Sequence, residues 1–116
     1  MGVAENLRTA RALIAKGWTQ EAWAEDVRGV SCGSRMADAV CYCPEGAIAA
    51  AIGMHPADAQ YSPEAQALTD AIGGLGDPSE IPSWNDAPGR IKEEVLAAFV
   101  RAITQAEAAQ CSTPTN

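Results

Sequence analysis

Two stretches at the ends of the chain alternate apolar and polar residues with the period of an α-helix. The two apolar stripes consist of Val3, Leu7, Ala10, Leu13 and Ile14, and of Ile91, Val95, Leu96, Phe99 and Ile103. Charged side chains occupy the opposite faces of both stretches. The pattern therefore predicts a helix from Glu5 to Lys16, which Gly17 ends, and a last helix that runs to about Ala108.

The stretch Ala37–Gly53 contains a run, Ala47–Ile52, that is apolar on every side. A helix without a polar face is typically buried among other helices. Pro44 suits the first turn of such a helix, and Gly53 suits its end. Pro56 is expected to prevent the helix from continuing. The pattern thus predicts a central, alanine-rich helix.

Between the central and the last helix, the sequence predicts one more helix followed by a linker. Its start is formed by Ser62, Pro63 and Glu64, and its buried stripe by Leu68, Ile72 and Leu75. Gly73 is expected to end this helix, and the turn residues of Asp77–Pro82 are typical of a linker. The stretch Trp18–Arg35 has no clear period, so we expect a loop with a short strand or a helical turn.

The composition favours a small helical fold. The 116 residues fit one domain, and 47% of them are hydrophobic although only 5% are aromatic. Alanine supplies much of the apolar content, and small residues such as Gly46 let helices approach closely. We predict an all-α fold, or a mainly α fold with a short hairpin after Trp18. Four to five helices would surround the central helix in one domain, 1–110, followed by a flexible tail, 111–116.

The absence of targeting patterns in the sequence predicts the cellular compartment, and the compartment predicts the state of the cysteines. The sequence has no stretch long and apolar enough to span a membrane, and its N-terminus lacks the layout of a secretion signal. We therefore expect a cytoplasmic protein, either in a bacterium or, if phage-encoded, in the host cytoplasm. In that compartment Cys32, Cys41, Cys43 and Cys111 are expected to be free thiols rather than disulfides.

Charge is distributed unevenly along the chain. The formal net charge is −7, which argues against nucleic acid or an anionic membrane as a direct partner. The stretch 36–89 contains no lysine or arginine. Its acidic residues are Asp38, Glu45, Asp58, Glu64, Asp70, Asp77, Glu80 and Asp86. They form either an ordinary solvated surface or an acidic face for a basic protein partner, and Asp58, Glu64, Asp70, Asp77 and Glu80 are the candidate residues of that face.

Aromatic and polar residues define a second candidate site. Trp18, Trp84, Asn85, Asp86 and Arg90 could line a small pocket near a helix N-terminus, where anions bind. The structural alternative is that Trp84 anchors the linker on the core while Asn85 or Asp86 caps the last helix.

The cysteines and the single histidine do not form a convincing chemical set. A zinc site made of Cys32, Cys41, Cys43 and His55 is disfavoured, because only Tyr42 separates Cys41 from Cys43. Cys43 lies where a helix N-terminus would lower a thiol pKa. A catalytic thiol also needs a base, and His55 lies beyond the far end of the same helix. We therefore expect no metal, no cofactor and no catalytic residue.

Three motifs carry a resemblance to a known family. They are Gly17-Trp18-Thr19-Gln20, Cys43-Pro44-Glu45-Gly46-Ala47 and Trp84-Asn85-Asp86-Ala87-Pro88-Gly89-Arg90. In this order they resemble a family of small bacterial and phage proteins with a domain of unknown function. The likeness covers most of the chain, and the tryptophan-asparagine-aspartate segment is its most specific part. It bears on the fold and implies no particular chemistry.

The sequence departs from the family at the start of the last helix. Relatives often carry threonine where Ile91 stands, three residues before Glu94, which is the spacing of a capping box. Isoleucine has no capping group. We therefore expect the last helix to start earlier, at Asn85 or Asp86.

These observations favour a non-enzymatic interaction or regulatory module. It would present an acidic face to a basic protein partner, and a sharper version is a phage-encoded inhibitor of a nucleic-acid-binding host system. The alternative is a small-molecule-binding protein or small enzyme that uses the pocket near Trp18 and Trp84. A homodimer through an exposed alanine-rich face is compatible with either hypothesis.

Overall fold

The structure is a computed structural model that describes residues 2–74 and 76–112, with side chains as far as Gln110. In this part of the chain there are six helices and two short strands. The helices are α1 (Val3–Lys16), α2 (Pro44–Ile52), α3 (Pro56–Ala59), α4 (Pro63–Ile72), α5 (Glu80–Asn85) and α6 (Lys92–Ser112). The strands β1 (Ala24–Glu25) and β2 (Cys41–Tyr42) pair antiparallel, with Ala24 opposite Tyr42. The predicted mainly α fold is confirmed, and in place of a short hairpin there is a two-stranded sheet whose strands are joined by the loop 26–40.

The core lies where α1, α2, α4 and α6 pack together. Its largest fully buried apolar side chains are Phe99, Leu7, Ile14, Ile48 and Leu68. Most of the other core residues are alanines, as the composition predicts. None of the helices in the described ranges has both the length and the apolarity to cross a membrane.

The central helix α2 begins and ends as predicted. The Cys43 sulfur accepts a hydrogen bond from the Gly46 N–H at 3.3 Å, and Gly53 ends the helix in the left-handed conformation. As expected, α2 does not continue past Gly53, and a separate short helix follows at Pro56. Proline at the first position starts α3, because its missing N–H would have no partner there.

The prediction of a linker from Asp77 to Pro82 is wrong in part, because α5 starts within this stretch at Glu80. Pro82 lies in the first turn of α5, where a helix tolerates proline. The two short helices α3 and α5 explain why the described residues form six helices rather than the expected four or five. In the predicted tail, 111–116, helix α6 continues to Ser112, and residues 113–116 lie outside the described part. Leu75, predicted for the buried stripe of the helix that starts at Pro63, also lies outside it.

The start of α6 corrects a further expectation. The helix begins at Lys92, so Asn85 and Asp86 belong to the end of α5 and do not cap α6. The Ile91 N–H donates to Glu94 Oε1 at 3.1 Å. This contact is the half of a capping box that does not need the threonine side chain, which allows isoleucine at this position.

Two glycines bring the chain between α1 and α2 against the helices. A Cβ on Gly46 would lie 2.0 Å from the Trp23 carbonyl oxygen, and a Cβ on Gly17 would lie 2.2 Å from that of Val40. The Cys43 N–H donates to the Trp23 carbonyl at 3.1 Å, directly beside the first of these contacts. Glycine at 46 therefore fixes Trp23 at the N-terminal end of α2.

Candidate functional site

The Asn85 amide joins the two segments that carry the most specific motifs. Asn85 is 1% exposed, and its Oδ1 accepts a hydrogen bond from Trp18 Nε1 at 2.7 Å. Its Nδ2 donates to the Thr19 carbonyl at 3.1 Å, while Gln20 Nε2 donates to the Asn85 carbonyl at 2.8 Å. The residues after α1 are thus held against the end of α5.

Arg90 packs on the same cluster from outside. Its guanidinium carbon lies 4.2 Å from the centroid of the Trp84 ring, and its Nε donates to the Trp84 carbonyl at 2.9 Å. Its Nη1 also lies 3.4 Å from Glu94. Arg90 therefore has internal partners, and its position favours a structural role. The five predicted pocket residues lie close together, but only Asn85 and Asp86 line the cleft described next.

The acidic cleft is a cavity of about 460 Å³ between the segment 21–23, the start of α2 and the end of α5. Three carboxylates line it, those of Glu21, Glu45 and Asp86. Trp23 and Cys43 form part of its remaining wall. Among the described residues that line this cleft there is no lysine, arginine or histidine. The cleft is therefore complementary to a positively charged group.

Glu45 is the most buried carboxylate of the acidic cleft, with 6% of the residue exposed. Burial raises the pKa of Glu45, and a hydrogen bond from Trp23 Nε1 to its Oε1, at 3.1 Å, opposes that rise. Trp23 itself is 40% exposed. The sequence predicts Glu45 only as one of the acidic residues of the stretch 36–89, and its burial reveals its place in a site.

The backbone is strained at the rim of the acidic cleft. Glu21 has φ of 62°, the left-handed conformation that a residue with a side chain rarely adopts. Its N–H donates to Asp86 Oδ1 at 2.8 Å, which helps to hold this conformation. Such strain costs about 1–3 kcal/mol and is found preferentially at functional sites. Nothing in the sequence around Glu21 signals it, because glycine is the residue that usually marks such a position.

Cys43 lies in the acidic cleft but is not an activated thiol. Burial raises its pKa to about 11 and outweighs the hydrogen bond from Gly46, so the expectation that the helix N-terminus lowers this pKa is wrong. His55 lines a different cavity, and its Nδ1 accepts a hydrogen bond from the Ala57 N–H at 3.1 Å. Within the described ranges, no three His, Cys, Asp or Glu side chains are grouped as a metal site requires.

The buried thiol leads to a testable pH dependence. The pKa of Cys43 is about 11 in the folded protein against an ordinary value of 9.0, so the folded state holds this proton more tightly. The resulting stabilisation is complete below the unfolded pKa and is lost as the pH rises through the folded pKa. A shift of this size corresponds to about 3 kcal/mol in the free energy of unfolding, lost between about pH 9 and pH 11.

Urea denaturation at a series of alkaline pH values measures this loss. Cys43→Ser keeps a side chain that accepts from the Gly46 N–H but does not titrate, so its stability should fall less steeply. Cys41→Ser is the matched control and should behave like the wild type. Equal slopes for the wild type and Cys43→Ser would contradict the prediction.

The candidate acidic face is only partly assembled. Glu64 is 5% exposed and accepts a hydrogen bond from Asn6 Nδ2 at 2.9 Å, so it does not belong to an exposed face. Asp70, Asp77 and Glu80 lie near one another. Gln66 Nε2 donates both to Asp70, at 3.0 Å, and to the Gly76 carbonyl, at 3.2 Å. Asp58 is exposed on α3.

The ion pairs of the described residues engage acids from outside the stretch 36–89. They are Arg8–Glu107, Arg28–Asp26 at 2.8 Å and Arg90–Glu94 at 3.4 Å. None of these three pairs uses an acid of the stretch 36–89, although Arg35 and Arg101 donate to backbone carbonyls of that stretch, those of Gly53 and Ala71.

The fold and the cleft define a small, mainly helical protein with a two-stranded sheet and an acidic cleft beside its central helix. A family model described as "Family of unknown function (DUF6197)" matches residues 1–105, and the chain belongs to this family. The resemblance drawn from the sequence motifs is thereby confirmed at the level of a family of unknown function. No curated protein and no solved structure matches the chain.

Proposed function

We propose that the protein is a non-enzymatic interaction module that binds a basic protein partner, and that the acidic cleft receives a lysine or arginine side chain of that partner. One observation carries the proposal: Glu21, Glu45 and Asp86 converge on a cavity that no cationic side chain of the described residues lines. An incoming cation would supply the missing opposite charge.

The shape of the acidic cleft supports the choice of ligand. Trp23 forms one wall, and an aromatic ring attracts a cation placed over its face. Because Glu45 is buried, its interaction with an entering cation is screened less than a surface pair. Arginine suits such a site better than lysine, since its planar guanidinium both stacks on tryptophan and pairs with carboxylates.

Helix α5 connects the acidic cleft to the acids of the candidate face. Glu80 starts this helix, and Asp86 follows its last residue, so the two lie about 9 Å apart along the helix axis. Asp77 lies beside Glu80, with its N–H donating to Glu80 Oε1 at 3.2 Å. A basic partner surface would contact Asp77 and Glu80 while one of its side chains enters the acidic cleft beside Asp86. Nucleic-acid-binding proteins have such surfaces, and an inhibitor of a host nucleic-acid-binding system would act by covering one.

Titration with a short arginine-rich peptide tests the proposal. We expect the Trp23 indole resonance to shift in NMR spectra and the affinity to fall as salt is added, because salt screens charge pairs. Glu45→Gln should weaken binding by about tenfold or more, as when one partner of a desolvated ion pair is removed. Affinity should also fall as the pH is lowered through the raised pKa of Glu45, because protonation removes the charge.

The controls distinguish binding in the acidic cleft from nonspecific attraction to the net negative charge of the protein. Glu5→Gln removes a carboxylate from the exposed side of α1 and should leave the affinity nearly unchanged, and a glutamate-rich peptide should not bind. Equal effects of Glu45→Gln and Glu5→Gln, or binding that salt does not weaken, would overturn the proposal. For the inhibitor version, failure to compete with DNA for a purified nucleic-acid-binding effector would count against it.

A further inference from the structure

We propose that a second cavity, separate from the acidic cleft, binds a small molecule that carries an oxyanion. This oxyanion cavity has a volume of about 470 Å³ and lies between the loop Ser31–Met36 and the start of α3. It shares Trp23 and Ser31 with the acidic cleft, so the two cavities adjoin at the Trp23 ring. Its volume is within the range of small-molecule sites.

Ser34 provides the first argument for a ligand. The residue is 2% exposed and lines the oxyanion cavity, yet its hydroxyl has no hydrogen-bond partner among the described residues. Buried polar groups in native proteins nearly always have a partner, because leaving one unsatisfied is costly. A ligand oxygen in the cavity would provide that partner.

Arg35 and His55 also line the oxyanion cavity and offer hydrogen-bond donors. Arg35 donates one weak hydrogen bond to the Gly53 carbonyl, at 3.4 Å, which leaves most of its guanidinium N–H groups for a ligand. His55 accepts at Nδ1 from Ala57, so in the neutral ring Nε2 carries the proton and donates. Together with the Ser34 hydroxyl, these groups match the acceptor oxygens of a carboxylate or a phosphate.

The acids nearest this loop already have partners or lie outside the cavity lining. Asp26 pairs with Arg28 at 2.8 Å, and Glu25 accepts from the Thr19 hydroxyl at 2.7 Å. Neither they nor Asp38 line the cavity. Its remaining walls, Trp23, Met36 and Pro56, are apolar, so the body of the ligand should be aromatic or aliphatic.

Benzoate and phenyl phosphate are suitable probes, with benzyl alcohol as the neutral counterpart. Calorimetric titration should show binding of at least one anion and much weaker binding of the alcohol, and the better of the two anions identifies the oxyanion as carboxylate or phosphate. Both Arg35→Gln and Ser34→Ala should weaken binding by about tenfold, as expected for a lost hydrogen bond to a charged group. Glu5→Gln, on the exposed side of α1, should leave anion binding unchanged and controls for a general change of surface charge.

Ser34→Ala also separates a binding role from a structural one. If the hydroxyl serves a ligand, its removal should leave the melting temperature of the free protein unchanged or raise it, because an unsatisfied buried group disappears. A lowered melting temperature with unchanged anion affinity would overturn the proposal, as would binding of benzyl alcohol as tight as that of the anions, or absence of binding by both anions at millimolar concentration.

Discussion

Gly46→Ala is expected to lower the free energy of unfolding by about 3 kcal/mol, near the upper end of the usual cost of overpacking. The added Cβ would lie 2.0 Å from the Trp23 carbonyl oxygen and 2.8 Å from the carbonyl carbon. Both are backbone atoms, so no side-chain rotation relieves the contact. The strand segment would have to move away from α2, and the hydrogen bond from Cys43 to Trp23 would be lost with it.

Urea denaturation measures the effect, with Gly53→Ala as the matched control. Gly53 has open space around its Cβ position but a φ of +74°, so alanine there should cost only about 1 kcal/mol from backbone strain. If the two substitutions destabilise the protein equally, steric contact at Gly46 is not what limits the packing of this segment.

Asn85→Ala is expected to cost about 3 kcal/mol, because it leaves one buried and one partly buried group without the partner that Asn85 provides. These are the Trp18 indole N–H and the Thr19 carbonyl, which both bond to the Asn85 side chain. Trp18→Phe removes one of the same contacts while keeping most of the ring. In a double-mutant cycle the two substitutions should therefore be less than additive, with a coupling of about 1 kcal/mol.

Gln60→Ala is the control for this second prediction. Gln60 also has an amide that donates to a carbonyl, that of Ala57 at 3.0 Å, but the contact is exposed. Its loss should change stability by less than about 0.5 kcal/mol. A similarly small effect of Asn85→Ala, or strict additivity with Trp18→Phe, would show that the Asn85 contacts do not hold the two segments together.

The parts of the fold that the sequence predicts correctly depend on local rules. Ser62 caps α4 with its hydroxyl and Pro63 occupies its first position. Gly53 and Gly73 end helices in the left-handed conformation, which glycine adopts without strain because it has no Cβ. The short helix α5 is not predicted from the sequence, because Pro82 and its turn-forming neighbours are as typical of a linker as of a short helix. Tertiary contacts decide between the two.

The candidate sites are harder to predict because they combine distant segments. The acidic cleft takes residues from 21–23, from the start of α2 and from the end of α5, and no periodicity connects these stretches. Glu64 shows the opposite difficulty, since a charge pattern does not reveal that a carboxylate is buried against Asn6. By contrast, Trp18 and Asn85 do meet, although their roles as ligand-binding residues remain predictions.

The two strands contain two residues each, and the chain between them, 26–40, is a long loop. A sheet of this size has few hydrogen bonds to lose, so local opening of this loop requires far less free energy than global unfolding. Ser31 lies in this segment and Trp23 precedes β1, so the wall that both cavities share is held by few strand hydrogen bonds. Occupation of either cavity would therefore protect backbone amides there from exchange with solvent while leaving those of α1 and α6 unaffected.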